Sequence, residues 1–305
     1  MRFEFIKNHR KVYPLEEMCE CLEVSSSGYH AWLTRVPSPR SIKDESLKTR
    51  IIDLHKRSKG SYGYRPIHDH LCDEELGCGR DRTLRLMREL DIRGSQKASF
   101  KPLSTDSRHD FGYSPNRLKE LGEPERCDQV WVADTTYLRT AQGWAYLATV
   151  MDLFSRRIIG WSVSDHNDAD LCVRALEAAL LTRGGELSTG LIHHSDRGST
   201  YASYKYQSKL QSWKICQSMS AKGNCYDNAA MESFYGRFKV AAVGDSTFTD
   251  VDHARSAAFE YIETFYNRFR KHSSLGYNSP VLFEEKFAPP MGGMETSLTA
   301  CINRN

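Results

Sequence analysis

The sequence predicts an α/β protein in which a mixed five-stranded sheet with flanking helices follows an all-α N-terminal part. Two observations carry this prediction. Up to about residue 93, apolar side chains recur at helical spacing, and Gly-, Ser- and Pro-containing stretches separate the helices. From about residue 129, segments rich in β-branched and aromatic residues appear, and helical segments follow and separate them. That order is typical of a sheet with helices on its faces.

The bulk composition is that of an ordinary globular protein. The chain has 305 residues, of which 40% are hydrophobic and 27% charged, which is enough for two domains with their own cores. It has no apolar run long enough to span a membrane, and MRFEFIKNHRK lacks the apolar core of a secretory signal. We therefore expect a cytoplasmic protein. The net charge of +3 does not by itself announce a nucleic-acid partner.

The nine cysteines are scattered, odd in number and without CxxC pairs, which predicts reduced thiols. One stretch, IHDHLCDEELGC, brings His68, His70, Cys72 and Cys78 close together in sequence. Their spacing fits no common zinc scheme, and residues two apart on a helix face different ways. We interpret this stretch as a buried Cys72 beside exposed histidines.

The N-terminal part divides into two helical segments. Residues 1–40 hold two short helices around a turn, within 12–34, and then RVPSPRS, where two prolines predict a linker. Residues 41–94 hold three helices, and Pro66 suits the first turn of the second. Both segments are predicted to resemble helix-turn-helix modules, and residues 95–124 are predicted to be a linker.

The third helix of the 41–94 segment, DRTLRLMRELDI, carries an arginine stripe. Its apolar residues Leu84, Met87 and Leu90 fall on one side, and arginines fall on another. The arginines are Arg82, Arg85 and Arg88. A helix-turn-helix module that binds DNA needs such a stripe. A plain helical bundle whose arginines keep the surface soluble would show the same pattern.

The segment 125–290 is predicted to be one α/β domain, followed by a tail at 291–305. The predicted strands are 129–140, 144–154, 156–164, 190–196 and 214–219. The predicted helices are 168–183, about 202–213, 227–240 and 250–271.

Three acidic residues are candidates for one site in this domain. Asp134 closes the apolar alternation of VWVAD, and Asp196 closes LIHHSD. With strand one central and strand four beside it, the two aspartates meet at one edge, where reactive groups gather in α/β sheets. The helix over 227–240 can bring Glu232 to face them, with Asn228 and Lys239 on the same helical face and Tyr235 between. The alternative is a solvated polar stripe, and 39 acidic residues make accidental spacings common.

Three crowded carboxylates repel one another, and divalent cations remove that conflict. Oxygen ligands suit Mg²⁺ or Mn²⁺, and a pair of such ions can assist both oxygens of a phosphodiester exchange. Lys239 could then hold a DNA phosphate, and Asn228 could orient a ligand or water.

The sequence motifs around these residues are specific to one family. WVADTTYL, HHSDRGSTYAS and GNCYDNAAMESFYGRFK, with 35 residues between Asp196 and Glu232 and Lys239 seven beyond, resemble the DDE transposases of bacterial insertion sequences, which are related to retroviral integrases. YIETFYNRFRKHSSLGYNSPVLFE is similar to the C-terminal signature of that catalytic domain, and SSSGYHAW and GYRPIH are similar to its helix-turn-helix segments. The resemblance covers about residues 10–287 and is nearest to the downstream-frame (OrfB) product of two-frame elements.

The resemblance implies an RNase H-like core in which Asp134, Asp196 and Glu232 are the catalytic residues and hold Mg²⁺ or Mn²⁺, two ions per site. It implies that Lys239 contacts DNA. It also implies DNA cleavage and strand transfer at element ends, on terminal repeats and target DNA, by a homo-oligomer near the bacterial nucleoid. The upstream-frame leucine heptad is absent, which leaves open whether the chain acts alone or with, or fused to, the upstream product.

Three neighbouring residues receive secondary roles from the same resemblance. Asp152 occupies a family-typical position and is interpreted as structural. His194 is interpreted as positioning Asp196. Arg197 stands where many relatives have Gln, and it either adds a phosphate contact or is simply tolerated.

Two other functions remain open at this point. One is an RNase H-like nuclease that hydrolyses without strand transfer, and the helical N-terminal part disfavours it. The other is a DNA-binding regulator with a decayed core, and the presence of all three acidic residues disfavours it.

Overall fold

The computed structural model describes residues 2–95, 113–185, 187, 189–220, 229–243 and 247–287, without the side chains of residues 119 and 120. The chain divides into two compact units, Met1–Asp53 and Leu54–Asn305. The later helices of the predicted 41–94 segment therefore belong to the same compact unit as the sheet.

The first unit is helical. Its core consists of Ile6, Met18, Cys19 and Tyr29, which are all buried. Ser25 begins the third helix, because its hydroxyl accepts a hydrogen bond from the Gly28 N–H at 3.1 Å. The helices here are α1 (Arg2–His9), α2 (Leu15–Cys21), α3 (Ser26–Leu33) and the start of α4 (Pro39–Arg57). The two predicted short helices are confirmed, whereas α1 was not predicted.

The predicted linker RVPSPRS is wrong in its second half, because α4 begins at Pro39. Proline is tolerated in the first turn of a helix, where its missing N–H has no intrahelical acceptor. Ser38 supports this start, since its hydroxyl accepts from the Ser41 N–H at 3.1 Å.

The second unit begins with two further helices, α5 (Tyr64–Asp73) and α6 (Arg80–Glu89). Pro66 lies in the first turn of α5, as predicted. The buried residues of α6 are Thr83, Leu86 and Met87, whereas Leu84 and Leu90 are only half-buried. The buried stripe of α6 is thus shifted slightly from the predicted one.

A five-stranded mixed sheet forms the centre of the second unit. The strands are β1 (Val130–Thr140), β2 (Gly143–Asp152), β3 (Ile158–Ser164), β4 (Ile192–Ser195) and β5 (Cys216–Met219). Their order is β3-β2-β1-β4-β5, with β1, β2 and β3 antiparallel and β4 and β5 parallel to β1. The predicted RNase H-like mixed sheet is confirmed, including the central place of β1 and the neighbouring place of β4.

Helices flank the sheet. They are α7 (Leu118–Leu121), α8 (Ala169–Thr182), α9 (Ser199–Ala202), α10 (Tyr204–Ser212), α11 (Ala229–Phe238), α12 (Val251–Phe259) and α13 (Pro280–Phe287). The α8, α9 and α10 helices share a buried core with the face of the sheet that carries Trp131 and Ala133. Side chains alternate between the faces of a strand, so Val132 and Asp134 lie on the opposite face.

The predicted long helix over 250–271 is wrong in its second half. After α12 the backbone widens into π-helical turns over Glu260–Tyr266, and it no longer continues as a helix at residue 271. The widened turns bury Tyr261, Ile262, Phe265 and Tyr266. A π-helical turn rotates the following side chains, which lets four large residues of this segment face the interior.

Candidate active site

Asp134 on β1 and Asp196, directly after β4, lie equally far beyond the paired part of two neighbouring strands. The parallel pairing of β1 with β4 ends at Val132 opposite His194. Asp134 lies two residues beyond Val132, and Asp196 lies two residues beyond His194. Continuing this register puts both aspartates at the same level and on the same face. Both are half-buried.

The sequence suggested that Asp134 lies at the end of a strand, but the strand continues beyond it. β1 continues with β2 from Asp134 opposite Thr149 to Thr140 opposite Gly143. What ends near Asp134 is the pairing with β4, because β4 is only four residues long. The residue therefore lies on a rigid central strand at the point where one neighbour diverges.

Main-chain N–H groups orient one oxygen of each aspartate. The Thr135 N–H donates to Oδ1 of Asp134 at 2.7 Å, and the Gly198 N–H donates to Oδ1 of Asp196 at 2.9 Å. Close packing also favours glycine at position 198, since an added Cβ would lie 3.0 Å from Oδ1 of Asp196. Hydrogen bonds to the ionised form stabilise a carboxylate charge.

The helix that carries Glu232 is bonded to the main chain of Asp134. Tyr235 on α11 donates its hydroxyl proton to the Asp134 carbonyl at 2.6 Å, and its oxygen lies 2.8 Å from the Thr149 hydroxyl. Glu232 is in the first turn of the same helix and is exposed. Burial raises the pKa of Tyr235 well above its ordinary value, with smaller contributions from the negative charges of Asp134 and Asp196. The phenol therefore stays protonated and able to donate.

Lys239 follows directly after α11, at the start of π-helical turns over Lys239–Val243, and is half-buried. Burial lowers the pKa of this lysine, and the nearby Asp134 carboxylate opposes that shift. The predicted arrangement, in which Lys239 continues the α-helical face of Glu232, is thus modified by the change of helix type. Asn228 lies outside the described residues.

Known protein families and relatives match most of the chain. Profiles described as "Integrase core domain" match residues 124–225 and 214–280, and one described as "HTH-like domain" matches residues 41–100. The chain is 36% identical to "Transposase InsF for insertion sequence IS3A" of Escherichia coli K12, over 94% of this chain and 99% of that protein. It is 43% identical to "Insertion element IS600 uncharacterized 31 kDa protein" of Shigella sonnei, over 88% of this chain and 98% of that protein.

The chain belongs to the IS3 family of insertion-sequence transposases. The predicted resemblance is confirmed, and so is the enzyme class of polynucleotidyl transferases that it implied. Among solved structures, the chain is also similar to the HTLV-2 integrase catalytic core domain in complex with magnesium. That likeness has 16% identity and a TM-score of 0.39, and it covers 51% of this chain and 95% of that one.

His194 and Arg197 surround Asp196 in this transposase. Nδ1 of the buried His194 lies 2.9 Å from the hydroxyl of Ser218 on β5, so this ring ties the two strands together just before Asp196. The guanidinium of Arg197 lies over the ring of Tyr113, with its carbon 4.7 Å from the ring centroid. Tyr113 could not be predicted as a partner of Arg197, because it lies in the predicted linker, far from Arg197 along the chain.

The arginines of α6 differ in their surroundings. Arg88 is exposed, Arg82 is half-buried, and Arg85 forms an ion pair with Glu89 on the same helix. A shallow cavity of about 430 Å³ lies beside them and is lined by Asp81, Leu84, Arg85, Arg88 and Glu89.

Asp152 belongs to a different cluster of the transposase. Within the described part of the chain, Cys127, Asp152 and Glu284 are the set of potential metal ligands whose atoms all lie within 4.8 Å of one another, and the three predicted catalytic carboxylates do not approach that closely. Arg183 already neutralises this cluster, since its Nη2 lies 2.6 Å from Glu284 and 3.4 Å from Asp152. Burial raises the pKa of the Cys127 thiol to about 12, which makes it a poor metal ligand. This arrangement agrees with the interpretation of Asp152 as structural.

The interpretation of the His68–Cys78 stretch is wrong in detail. Cys72 is exposed, whereas His70 and Cys78 are buried. The buried face of α5 is formed by Ile67, His70 and Leu71, which are spaced three and four apart, and Cys72 falls outside it.

Across the described residues, no helix is long and apolar enough to cross a membrane.

Proposed function

We propose that this transposase cleaves DNA at the ends of its insertion element and joins the freed 3′ ends to target DNA, with Asp134, Asp196 and Glu232 as catalytic residues. The observation that carries the proposal is the parallel register of β1 and β4, which ends at Val132 opposite His194, two residues before Asp134 and Asp196. The helix with Glu232 is bonded to the same segment through Tyr235.

The three side chains fit a divalent cation by their chemistry. All three offer carboxylate oxygens, which are the donors that Mg²⁺ and Mn²⁺ prefer, and no thiol or imidazole is required. When bound, such ions, two per site in this proposal, activate an attacking oxygen and stabilise the leaving oxygen of a phosphodiester.

The chain's own residues bind and orient the DNA. Lys239 is close enough to Asp134 for their charges to interact, so its ammonium can bind a phosphate beside the carboxylates. Arg197 can bind a second phosphate, because it follows Asp196 directly in the chain and its guanidinium is held over the Tyr113 ring. We assign Asn228 to the same DNA-contacting group on the sequence alone.

The helical module supplies end recognition in this proposal. Arg82, Arg85 and Arg88 on α6 contact the terminal repeats, since a basic helix of such a module enters the major groove. Work on two ends requires a homo-oligomer on DNA, with or without the upstream-frame product, in the bacterial cytoplasm beside the nucleoid.

The decisive experiment supplies labelled element-end duplexes, a target plasmid and Mg²⁺ or Mn²⁺ to the purified chain. Asp134→Asn, Asp196→Asn and Glu232→Gln should each lower cleavage about a thousandfold or more, with end binding retained. Asp170→Asn is the matched control, because Asp170 is an exposed carboxylate that pairs with Lys205 on the same domain. A triad variant that cleaves as fast as this control would contradict the proposal.

The same experiment separates the two alternatives. Hydrolysis products without joined product would favour a nuclease. End binding by the wild-type chain without any cleavage in either metal would favour a regulator.

A further inference from the structure

The buried face of α5 is covered by a segment from the far end of the chain. Phe269 stacks on His70, with ring centroids 4.6 Å apart and planes 17° apart. Tyr62, just before α5, also stacks on the Phe269 ring, with centroids 6.1 Å apart. The Arg57 guanidinium carbon lies 4.0 Å from the centroid of the Phe269 ring. An aromatic ring held among three such neighbours is a specific contact, worth more than its buried area alone.

Hydrogen bonds and ion pairs also hold the segment around Phe269 against α5. The Tyr62 hydroxyl accepts a hydrogen bond from the Lys271 N–H at 3.1 Å and lies 3.4 Å from the Phe269 carbonyl. The Lys271 ammonium pairs with both Asp69 and Asp73 on α5, and only 8% of its side chain is exposed. Asp69 and Lys271 are 202 residues apart in sequence. We call this set of residues, Tyr62, Asp69, His70, Asp73, Phe269 and Lys271, the latch.

The latch is bonded to the sheet on one side. Asn267, two residues before Phe269, accepts from the Ile158 N–H at 3.0 Å and donates to the Ile158 carbonyl at 2.9 Å. Ile158 begins β3, and β3 pairs with β2, which pairs with the strand that carries Asp134. An amide that bonds both main-chain groups of one residue fixes its segment much as a strand would.

The α5 helix, which carries three residues of the latch, is tied to α6 through the segments that flank the two helices. The residues before α5 and after α6 close on each other, since the Ser95 N–H donates to the Gly60 carbonyl at 2.8 Å. Gly94 packs directly on Gly63, where an added Cβ would lie 2.7 Å from the Gly63 nitrogen. The α5–α6 pair is therefore one closed piece, and whatever holds α5 also holds α6.

We propose that the latch fixes the DNA-reading helix α6 at a set distance from the catalytic strands, so that the protein determines the spacing between the bases it reads and the phosphodiester it cleaves. This inference rests on the proposed function. Among the described residues, the latch is the most extensive contact between the α5–α6 piece and the core, and the half-exposed ion pair of Lys59 with Glu260 adds to it. Lys271, Asp69 and Tyr62 are then positioning residues, which act through α6 and touch neither metal nor scissile phosphate.

The test compares element-end duplexes with and without about 5 additional base pairs, half a helical turn, between the protected sequence and the cleaved end. The wild-type chain should cleave the lengthened end at least about tenfold more slowly, because the read bases face the wrong way. Lys271→Met and Tyr62→Phe should bind the native end with the same footprint, cleave it more slowly and lose most of that discrimination. Lys205→Met, an exposed ion-pair lysine of the core, is the matched control and should behave as wild type.

Exchanging the two charges of an ion pair distinguishes loss of the latch from misfolding of the variant. Lys271→Glu should lose the discrimination, and adding Asp69→Lys should restore it. Hydrogen exchange gives a readout besides cleavage, since the amides of α5 should exchange faster in Lys271→Met with those of β1 unchanged.

Three results would overturn the inference. They are a wild-type chain that cleaves both duplexes equally, folded latch variants that keep full discrimination, and α5 amides that exchange as in wild type. A failure of the proposed function looks different, because no chain would then cleave either duplex although the α5 amides still respond to Lys271→Met.

Discussion

The hydroxyl of Tyr235 donates a hydrogen bond to the main-chain carbonyl of Asp134, with 2.6 Å between the oxygens. The same hydroxyl lies 2.8 Å from the Thr149 hydroxyl and 3.4 Å from the Leu147 carbonyl, so it joins α11 to two strands at once. One buried phenol thus fixes α11 against β1, the strand that carries Asp134. The exposed Glu232 lies on the same helix, about one turn before Tyr235.

Tyr235→Phe should lower the cleavage rate roughly ten- to a hundredfold, because a small displacement of α11 misplaces Glu232. It should also destabilise the fold by about 1–2 kcal/mol, since a buried hydrogen bond is lost. The measurement is single-turnover cleavage at saturating DNA, together with urea denaturation.

Tyr206→Phe is the matched control for that variant. Tyr206 is also fully buried, and its hydroxyl lies 2.9 Å from Nε2 of His193 on the opposite face of the sheet. It should lose similar stability but keep its cleavage rate. If the two variants cleave equally, Tyr235 has only a structural role.

The sequence predicted the sheet and the two aspartates because their signals are local. The alternation in β1 and the short apolar run of β4 predict strands, and strand order follows from how such units connect. The contacts of Tyr235, Tyr113 and Phe269 could not be predicted, because each joins residues far apart in sequence through side-chain packing. The start of α4 and the widened turns after α12 were missed for another reason: Pro39 and the residues of Glu260–Tyr266 are each compatible with two backbone conformations.

Arg183 is the cation that balances a buried acidic cluster. Its Nε lies 2.8 Å from Asp128, and its Nη2 lies near Glu284 and near Asp152, which has no exposed surface. Arg183→Met should destabilise the fold by about 3–5 kcal/mol, because it leaves buried carboxylates uncompensated. Lys205→Met should change stability by about 1 kcal/mol or less, since its ion pair with Asp170 is exposed.

Urea denaturation measures the stability loss predicted for Arg183→Met. The same measurement with and without EDTA tests whether Cys127, Asp152 and Glu284 bind a metal ion. In buffer without added Mg²⁺ or Mn²⁺, the stability of the wild-type chain should be the same with and without chelator. Stabilisation by added Zn²⁺ that Cys127→Ser abolishes would show that this cluster binds metal after all.

Gly160 and Gly236 should respond to alanine in opposite directions. At Gly160 on β3, an added Cβ would lie 2.2 Å from the Ala175 carbonyl oxygen and 2.5 Å from the Ala179 nitrogen, both on the backbone of α8. Gly160→Ala must push α8 from the sheet and should destabilise by about 1–3 kcal/mol or more. Gly236 is in α11 with open space around it, so Gly236→Ala should stabilise by about 0.5–1 kcal/mol. Thermal unfolding of the two variants side by side decides the matter, and equal shifts would refute the close packing.

Acid should weaken the protein through His70. The pKa of His70 is lowered to about 4, first by burial and then by the positive charge of Lys271, against the opposing charges of Asp73, Asp69 and Glu74. An unfolded histidine binds its proton at about pH 6.5, whereas native His70 does so only near pH 4. The unfolded state therefore binds more protons between these values, and the free energy of unfolding falls as the pH falls from about 6.5 to 4.

His70→Phe removes that proton uptake and keeps an aromatic ring beside both Tyr62 and Phe269. Above about pH 6.5 its stability relative to wild type should be constant, and towards pH 4 the variant should gain relative to wild type. Urea denaturation at several pH values measures this difference. A pH-independent difference would mean that His70 is not the titrating group.

Arg88 should contribute more to end binding than Arg85. Arg88 is exposed on α6, whereas Arg85 already pairs with Glu89. Arg88→Ala should weaken binding of the element end and reduce the slope of log K against log salt by about 1, because one phosphate contact is lost. Arg85→Ala should weaken binding less, and Glu89→Gln should strengthen it by releasing Arg85. Fluorescence anisotropy over a range of salt measures all three, with Glu232→Gln, the variant that the proposed function expects to bind without cleaving, as the reference. Equal binding by Arg88→Ala and wild type at every salt concentration would exclude this face of α6 from the DNA interface.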